Sequence, residues 1–177
     1  YFVDVSSIRD RLLSERNHYF VRMAIASRKK GNFPVAERYL KLSLRSQQKQ
    51  HDEEGGGGGS ISFSYEAFGS LVKLYCERAS REANLEKFYK ALSYMEQKQN
   101  EPLIAEVPAN HLRYKMMEGS VYTRMIALLD AELRGEGQEG VLKAEQIGKI
   151  RKMSAKLEQK AHNAFETACG LIDHLSI

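Results

Sequence analysis

The sequence predicts an all-α fold, with antiparallel helix pairs forming a short irregular α-solenoid of about six helices, TPR- or HEAT-like. Three observations carry this. Only 3 prolines and 13 glycines punctuate 177 residues, and many of the glycines are gathered in the run starting at Gly55. Apolar residues recur at three- and four-residue spacings, the period of a helix with one buried stripe. No segment alternates convincingly at period two, as a half-buried strand would.

The first helix begins with Asp4 or Ser6 as its cap and runs to about Lys30, where Gly31 stands as the C′ glycine. Its expected inward positions are Ile8, Leu12, Tyr19, Phe20, Met23 and Ala26. Asn32 caps a second helix with Pro34 in its first turn, where a missing N–H costs little, and with Val35, Ala36, Tyr39, Leu40 and Leu44 facing inward. A third helix spans Phe63 to about Glu82 and turns Phe68, Leu71, Leu74 and Tyr75 inward. The fourth, Leu85 to Gln97, offers Phe88, Leu92 and Met95. A proline-flanked loop over Asn100–Ala109 separates these from a fifth helix, about Asn110–Arg134, with Leu112, Met116, Tyr122, Met125 and Leu129 buried. After the turn GEGQEG, the last helix runs from about Leu142 to Leu175, with Met153, Leu157, Ala161, Phe165, Ala168, Ile172 and Leu175 in step.

The organisation expected is one α-solenoid fragment over residues 1–177: a first, TPR-like pair in 1–50, a second pair in 61–99 and a third pair of long helices in 109–177. Residues 55–60, GGGGGS, read as an engineered Gly-Ser linker replacing a longer natural loop. Six such residues reach roughly 13 Å, enough to join adjacent antiparallel helices. The Gln-rich, acidic stretch Gln47–Glu54 before them reads as the stump of a disordered insertion. A natural glycine run is the alternative, and neither version gives the run a function. The start at Tyr1, with no methionine, reads as a fragment's.

Composition narrows the classes. Hydrophobic residues at 42% and charged residues at 28% are those of a folded globular chain, which argues against wholesale disorder. The net charge of +4 permits weak attraction to polyanions without being a nucleic-acid signature. No apolar run approaches the ~20 residues that span a bilayer, and the first residues lack a signal-peptide layout, so a soluble intracellular protein is expected. Cys76 and Cys169 lie in helical patterns without any CxxC or Cys/His spacing and read as reduced core thiols.

Phe20, Met23, Ala24, Gly31, Phe33, Ala36, Leu40, Ser43 and Leu44 fall at the spacings of one tetratricopeptide repeat, where small residues let two helices approach and a glycine–polar–aromatic turn reverses the chain. In the second pair ANLEKFYKAL echoes GNFPVAERYL without its glycine. Repeats this divergent suggest a solenoid rather than a peptide-binding array.

Chemistry is sparse. No Walker motif, HExxH or protein-kinase motif occurs, so no catalytic residue, metal ligand or cofactor is assigned. Glu158, His162 and Glu166 stand at i, i+4 and i+8, a spacing that fits a solvated ladder better than a metal site. Arg28, Lys29 and Lys30 close the first helix, where cations complement its dipole. Lys149, Lys152, Lys156 and Lys160 share one face of the last helix, and phosphates need only positive charge and reach to dock there. Against this reading, Glu145 and Glu158 dilute the patch and aromatic partners for base stacking are absent, so a solvated face is the competing reading.

The segment MAIASRKKGNFPVAERYLKLSL resembles the helix pairs in the FAT domain of the phosphatidylinositol 3-kinase-related protein kinases. There a basic helix end, then G/N-N-F and an alanine, opens the next helix. YCERASREANLEKFYKALSYMEQ, HLRYKMMEGSVYTRMIALL and KLEQKAHNAFETACGLI follow in an order and spacing similar to that of a DNA-damage-response member of the family. The resemblance covers nearly all of the chain outside the glycine run. It implies an internal, non-catalytic scaffold and regulatory segment of a very large nuclear Ser/Thr kinase, upstream of the catalytic lobes. Its work would be to transmit partner or DNA-end engagement to the kinase domain. The implied partners are the rest of the parent kinase and its regulatory subunits, with direct DNA contact left open. Some family members bind inositol hexakisphosphate through FAT-domain lysines and arginines, which keeps an inositol polyphosphate in view for Lys149, Lys152, Lys156 and Lys160 without a residue-by-residue match. From the residues themselves, a free-standing TPR-like adaptor for a partner peptide or helix is the alternative.

Overall fold

The computed structural model describes residues 5–53, 65–135 and 144–175. Among the described residues there are six long helices, one four-residue turn of helix and no strand. They are α1 (Val5–Lys29), α2 (Phe33–Glu53), α3 (Tyr65–Arg81), α4 (Leu85–Lys98), α5 (Pro102–Ala105), α6 (Pro108–Leu133) and α7 (Ala144–Leu175). Neighbouring helices pack in pairs, α1 with α2 and α6 with α7, as in a helical solenoid. Gly55–Ser60, the Asp4 cap and most of the GEGQEG turn lie outside the described residues.

The chain divides into two compact units, Tyr1–Leu74 and Tyr75–Ile177. In the first, α1 ends in a Schellman closure. The Gly31 N–H donates to the Arg28 carbonyl and the Asn32 N–H to that of Ser27, both at 2.9 Å. Gly31 takes φ 77°, which costs a glycine little. Asn32 then caps α2, its Oδ1 accepting from the Val35 N–H at 3.4 Å. The pair closes over Val21, Ala24, Ala36, Leu40 and Ser43, each at most 2% exposed, with the Phe20 and Tyr39 rings stacked 6.1 Å apart. Small residues at Ala24, Ala36 and Ser43 let the two backbones approach. In α3, Phe68, Leu71 and Leu74 are buried as expected.

Two expectations fail here. The buried stripe of α1 is Asn17, Val21 and Ala24, while Ile8, Leu12, Tyr19 and Ala26 are exposed. The helix presents the narrower side, of smaller residues, to α2. Gln47–Glu53 is not a disordered stump either: it continues α2 to Glu53, as the helix-forming Gln, Lys and Glu residues favour.

In the second unit the closure of α3 repeats that of α1 without the glycine. Asn84 N–H donates to the Ala79 carbonyl at 3.0 Å, the same five-residue span, and Ala83 holds the left-handed conformation at φ 46°. Asn84 caps α4 through its Oδ1, which accepts from Glu86 N–H at 2.9 Å. Buried Phe88, Ala91 and Met95 form the inner face of α4, which packs on α6. The expected loop after α4 contains the helical turn α5, which packs on α6 and buries Ile104. Pro108 starts α6 two residues before the expected Asn110, because proline is preorganised for a first helical position. The seam between α6 and α7 is made by Gly119, Tyr122, Met125 and Leu129 on one side. Ile150, Ser154, Leu157, Ala161, Ala164 and Ala168 are the buried residues of α7. Met116, Met153, Ile172 and Leu175, expected inside, are exposed by 37–48%.

Candidate basic face of the last helix

Lys149, Lys152, Lys156 and Lys160 all lie on α7 and are exposed. At about 100° per residue they occupy one strip, turned away from the buried Leu157 and Ala161 side. The structure therefore brings the four together, but their electrostatic surroundings differ. Glu145 Oε1 lies 2.6 Å from Lys149 Nζ, one turn back on the same helix. The Lys160 ammonium stands 5.7 Å from the centre of the Tyr122 ring, a cation–π contact reaching across to α6. Neither Lys152 nor Lys156 has an ion pair among the described residues.

Sequence reasoning missed what α4 and α6 add. Tyr122 is only 8% exposed, and its hydroxyl is pushed up to about 12 by burial first, and then by Glu118, Glu96 and Tyr89 around it. Two carboxylates thus stand near the ring that Lys160 covers. Glu118 also pairs with Lys115 at 2.9 Å. From α4, the exposed Tyr89 places its hydroxyl 4.0 Å from Met153 Sδ, beside the lysine strip. The aromatic neighbours that seemed absent come from other helices. No sequence signal short of the helix pairing could have found them, since Tyr89 and Met153 are far apart in the chain.

The remaining candidates are plain. His162 Nε2 lies 3.9 Å from Glu166 Oε2 on the exposed side of α7, both side chains more than two-thirds exposed. No group of three or more His, Cys, Asp or Glu residues able to hold a metal occurs among the described residues. Lys29 and Lys30 are exposed at the end of α1. Cys76 is buried, whereas Cys169, expected in the core, is exposed on α7. No described helix is long and apolar enough to cross a membrane.

Fold and surface together define an all-α protein of packed helix pairs, with basic and mixed-charge faces. Over 119 residues, 65% of its length, the chain is 28% identical to the DNA-dependent protein kinase catalytic subunit of Dictyostelium discoideum. This is a distant relationship, and the matched segment is 3% of that much longer relative. No family model matches the chain, and no solved structure matches it.

Proposed function

We propose that this chain is a non-catalytic, FAT-type helical scaffold and regulatory segment of a large nuclear Ser/Thr kinase of the DNA-damage response. The supporting observation is the 119-residue similarity to a DNA-dependent protein kinase catalytic subunit, in a stretch built from packed helix pairs. Closely packed helices move as rigid elements, so a displacement at one end is carried along the array rather than absorbed. Such a segment would pass the engagement of a partner or a DNA end to a kinase domain elsewhere in the parent polypeptide. Its direct partners would be the rest of that kinase and its regulatory subunits.

Sequencing the full transcript that encodes this segment tests the proposal. Kinase motifs downstream are the expected result. A reading frame that ends soon after Ile177 with no kinase behind it would overturn the reading and leave a free-standing adaptor.

Within this reading, the basic strip of α7 is a candidate seat for an inositol polyphosphate, centred on Lys152 and Lys156. Lys149 and Lys160 are already engaged by Glu145 and Tyr122 and would contribute at the edges. Titration with inositol hexakisphosphate at low salt should show binding that weakens as salt rises. Lys152→Glu with Lys156→Glu should abolish it, and unchanged binding in that variant would remove the strip from consideration.

A further inference from the structure

The first helix has two apolar sides, and the fold uses only one. Asn17, Val21 and Ala24 are buried, whereas Ile8, Leu12 and Tyr19 are 46%, 61% and 57% exposed. Positions i, i+4 and i+11 lie within about 40° of one another around a helix, so these three side chains form a single stripe. The stripe lies on the side of α1 opposite Val21. Its surroundings are basic: Arg11, Arg16, Arg22 and, farther along at the helix end, Lys29 are exposed on the same half of the helix, and Glu15 is the acid among them. Arg11 and Glu15 approach to 3.3 Å, so part of that charge is already answered.

We propose that this face of α1 docks an amphipathic helix of a separate partner, one whose apolar stripe is bordered by Asp and Glu. Helix-on-helix docking suits a stripe that is long along the axis and one side chain wide. The acidic border follows from charge complementarity with these cations around the stripe. A separate and reversibly bound partner suits the composition, because a narrow apolar core inside a charged rim is the anatomy of a non-obligate interface. A permanent internal layer would be apolar across its width. The face belongs to α1 and uses none of the α7 lysines, so its failure would leave the kinase-scaffold reading untouched.

Fluorescence anisotropy with three labelled peptides of about 20 residues tests the proposal. One carries leucines at helical spacing bordered by Glu. The second has Lys in place of Glu. The third has the composition of the first with the leucine spacing scrambled. The Glu-bordered helix should bind at least about tenfold more tightly than either control at low salt, and lose most of that advantage in high salt. Leu12→Asp and Tyr19→Asp should remove binding while leaving the helical circular-dichroism signal intact, since neither side chain belongs to the α1–α2 seam. Arg22→Glu should weaken the Glu-bordered peptide and strengthen the Lys-bordered one, which keeps the test decisive if an aspartate variant fails to fold. Equal binding of the Glu- and Lys-bordered peptides, or indifference to Leu12→Asp, would overturn the proposal. So would concentration-dependent self-association abolished by Leu12→Asp, which would make a second copy the occupant.

Discussion

Gly119 on α6 faces the ring of Phe165 on α7 so closely that a Cβ added to the glycine would stand 2.6 Å from the ring carbons. The missing side chain is what allows the ring to lie across the seam, next to the Ala161, Ala164 and Ala168 stripe. In a helix interior glycine costs about 1 kcal/mol relative to alanine, so its presence here opposes helix propensity and is explained by packing.

The sign of Gly119→Ala should therefore depend on residue 165. With Phe165 present, the methyl forces the ring out of place and stability falls, with overpacking costs typically of about 1–3 kcal/mol partly offset by the propensity gain. In a Phe165→Ala background the same substitution should stabilise. Urea unfolding of the four proteins of this cycle reads the coupling directly, and additive effects would mean that the ring is not held by the glycine.

How far the fold was legible depends on which residues carry it. Phe68, Leu71, Leu74, Phe88 and Met95 are large and apolar, and their spacing alone puts them inside. The α1 side of the first pair is carried by Asn17, Val21 and Ala24, which give almost no hydrophobic signal beside Ile8, Leu12 and Tyr19. Periodicity finds the stripe with the largest side chains, whereas close helix packing selects the stripe with the smallest. At the candidate site the lysine strip is a property of one helix and could be read from spacing. The Tyr122 ring under Lys160, with Glu96 and Glu118 beside it, depends on how α4, α6 and α7 pack and could not.

Ala83 should respond to glycine in the direction opposite to an ordinary helical alanine. It holds φ 46°, a conformation that costs an L-residue roughly 1–2 kcal/mol, at the position corresponding to Gly31 in the first pair. Ala83→Gly should stabilise the second unit by about 1 kcal/mol, and Gly31→Ala should destabilise the first by a similar amount. Thermal denaturation of both variants checks this, and a loss on Ala83→Gly would refute the strain argument.

The two cysteines should separate cleanly in a labelling experiment. Burial pushes the Cys76 thiol up to about 11, with Arg124 pulling down and Glu77 adding to the rise. Cys169 is exposed. Since the thiolate is the reactive form, the native protein at neutral pH should take up one equivalent of a maleimide rapidly, at Cys169, and the second only in denaturant. Rapid native modification of Cys76, mapped by peptide mass, would show that α3 opens locally.

Stability should decline at alkaline pH through two tyrosines. Burial, followed by the Glu101 carboxylate, pushes Tyr94 up to about 12, and Tyr122 is raised to about 12 by burial and then by Glu118. Both folded values lie above the ordinary value of about 10, so the unfolded chain releases these protons first. The neutral hydroxyls thus contribute fully below about pH 10, and their contribution is lost as pH rises towards 12. Unfolding free energies measured across this window should fall less steeply in Tyr94→Phe and Tyr122→Phe, and an unchanged slope in both would contradict the assignment.

The turn between α1 and α2 leaves no slack. Gly31 and Asn32 finish one helix and cap the next, so Ala36, Leu40 and Ser43 meet α1 because they stand at fixed counts from that glycine. One residue inserted between Gly31 and Asn32 would rotate every side chain of α2 by about 100° against its partner and carry the small residues out of the seam. The segment should accept substitutions within its helices far more readily than a change in spacing here. For this pair of helices, spacing at the turn is a tighter constraint than the identity of most side chains.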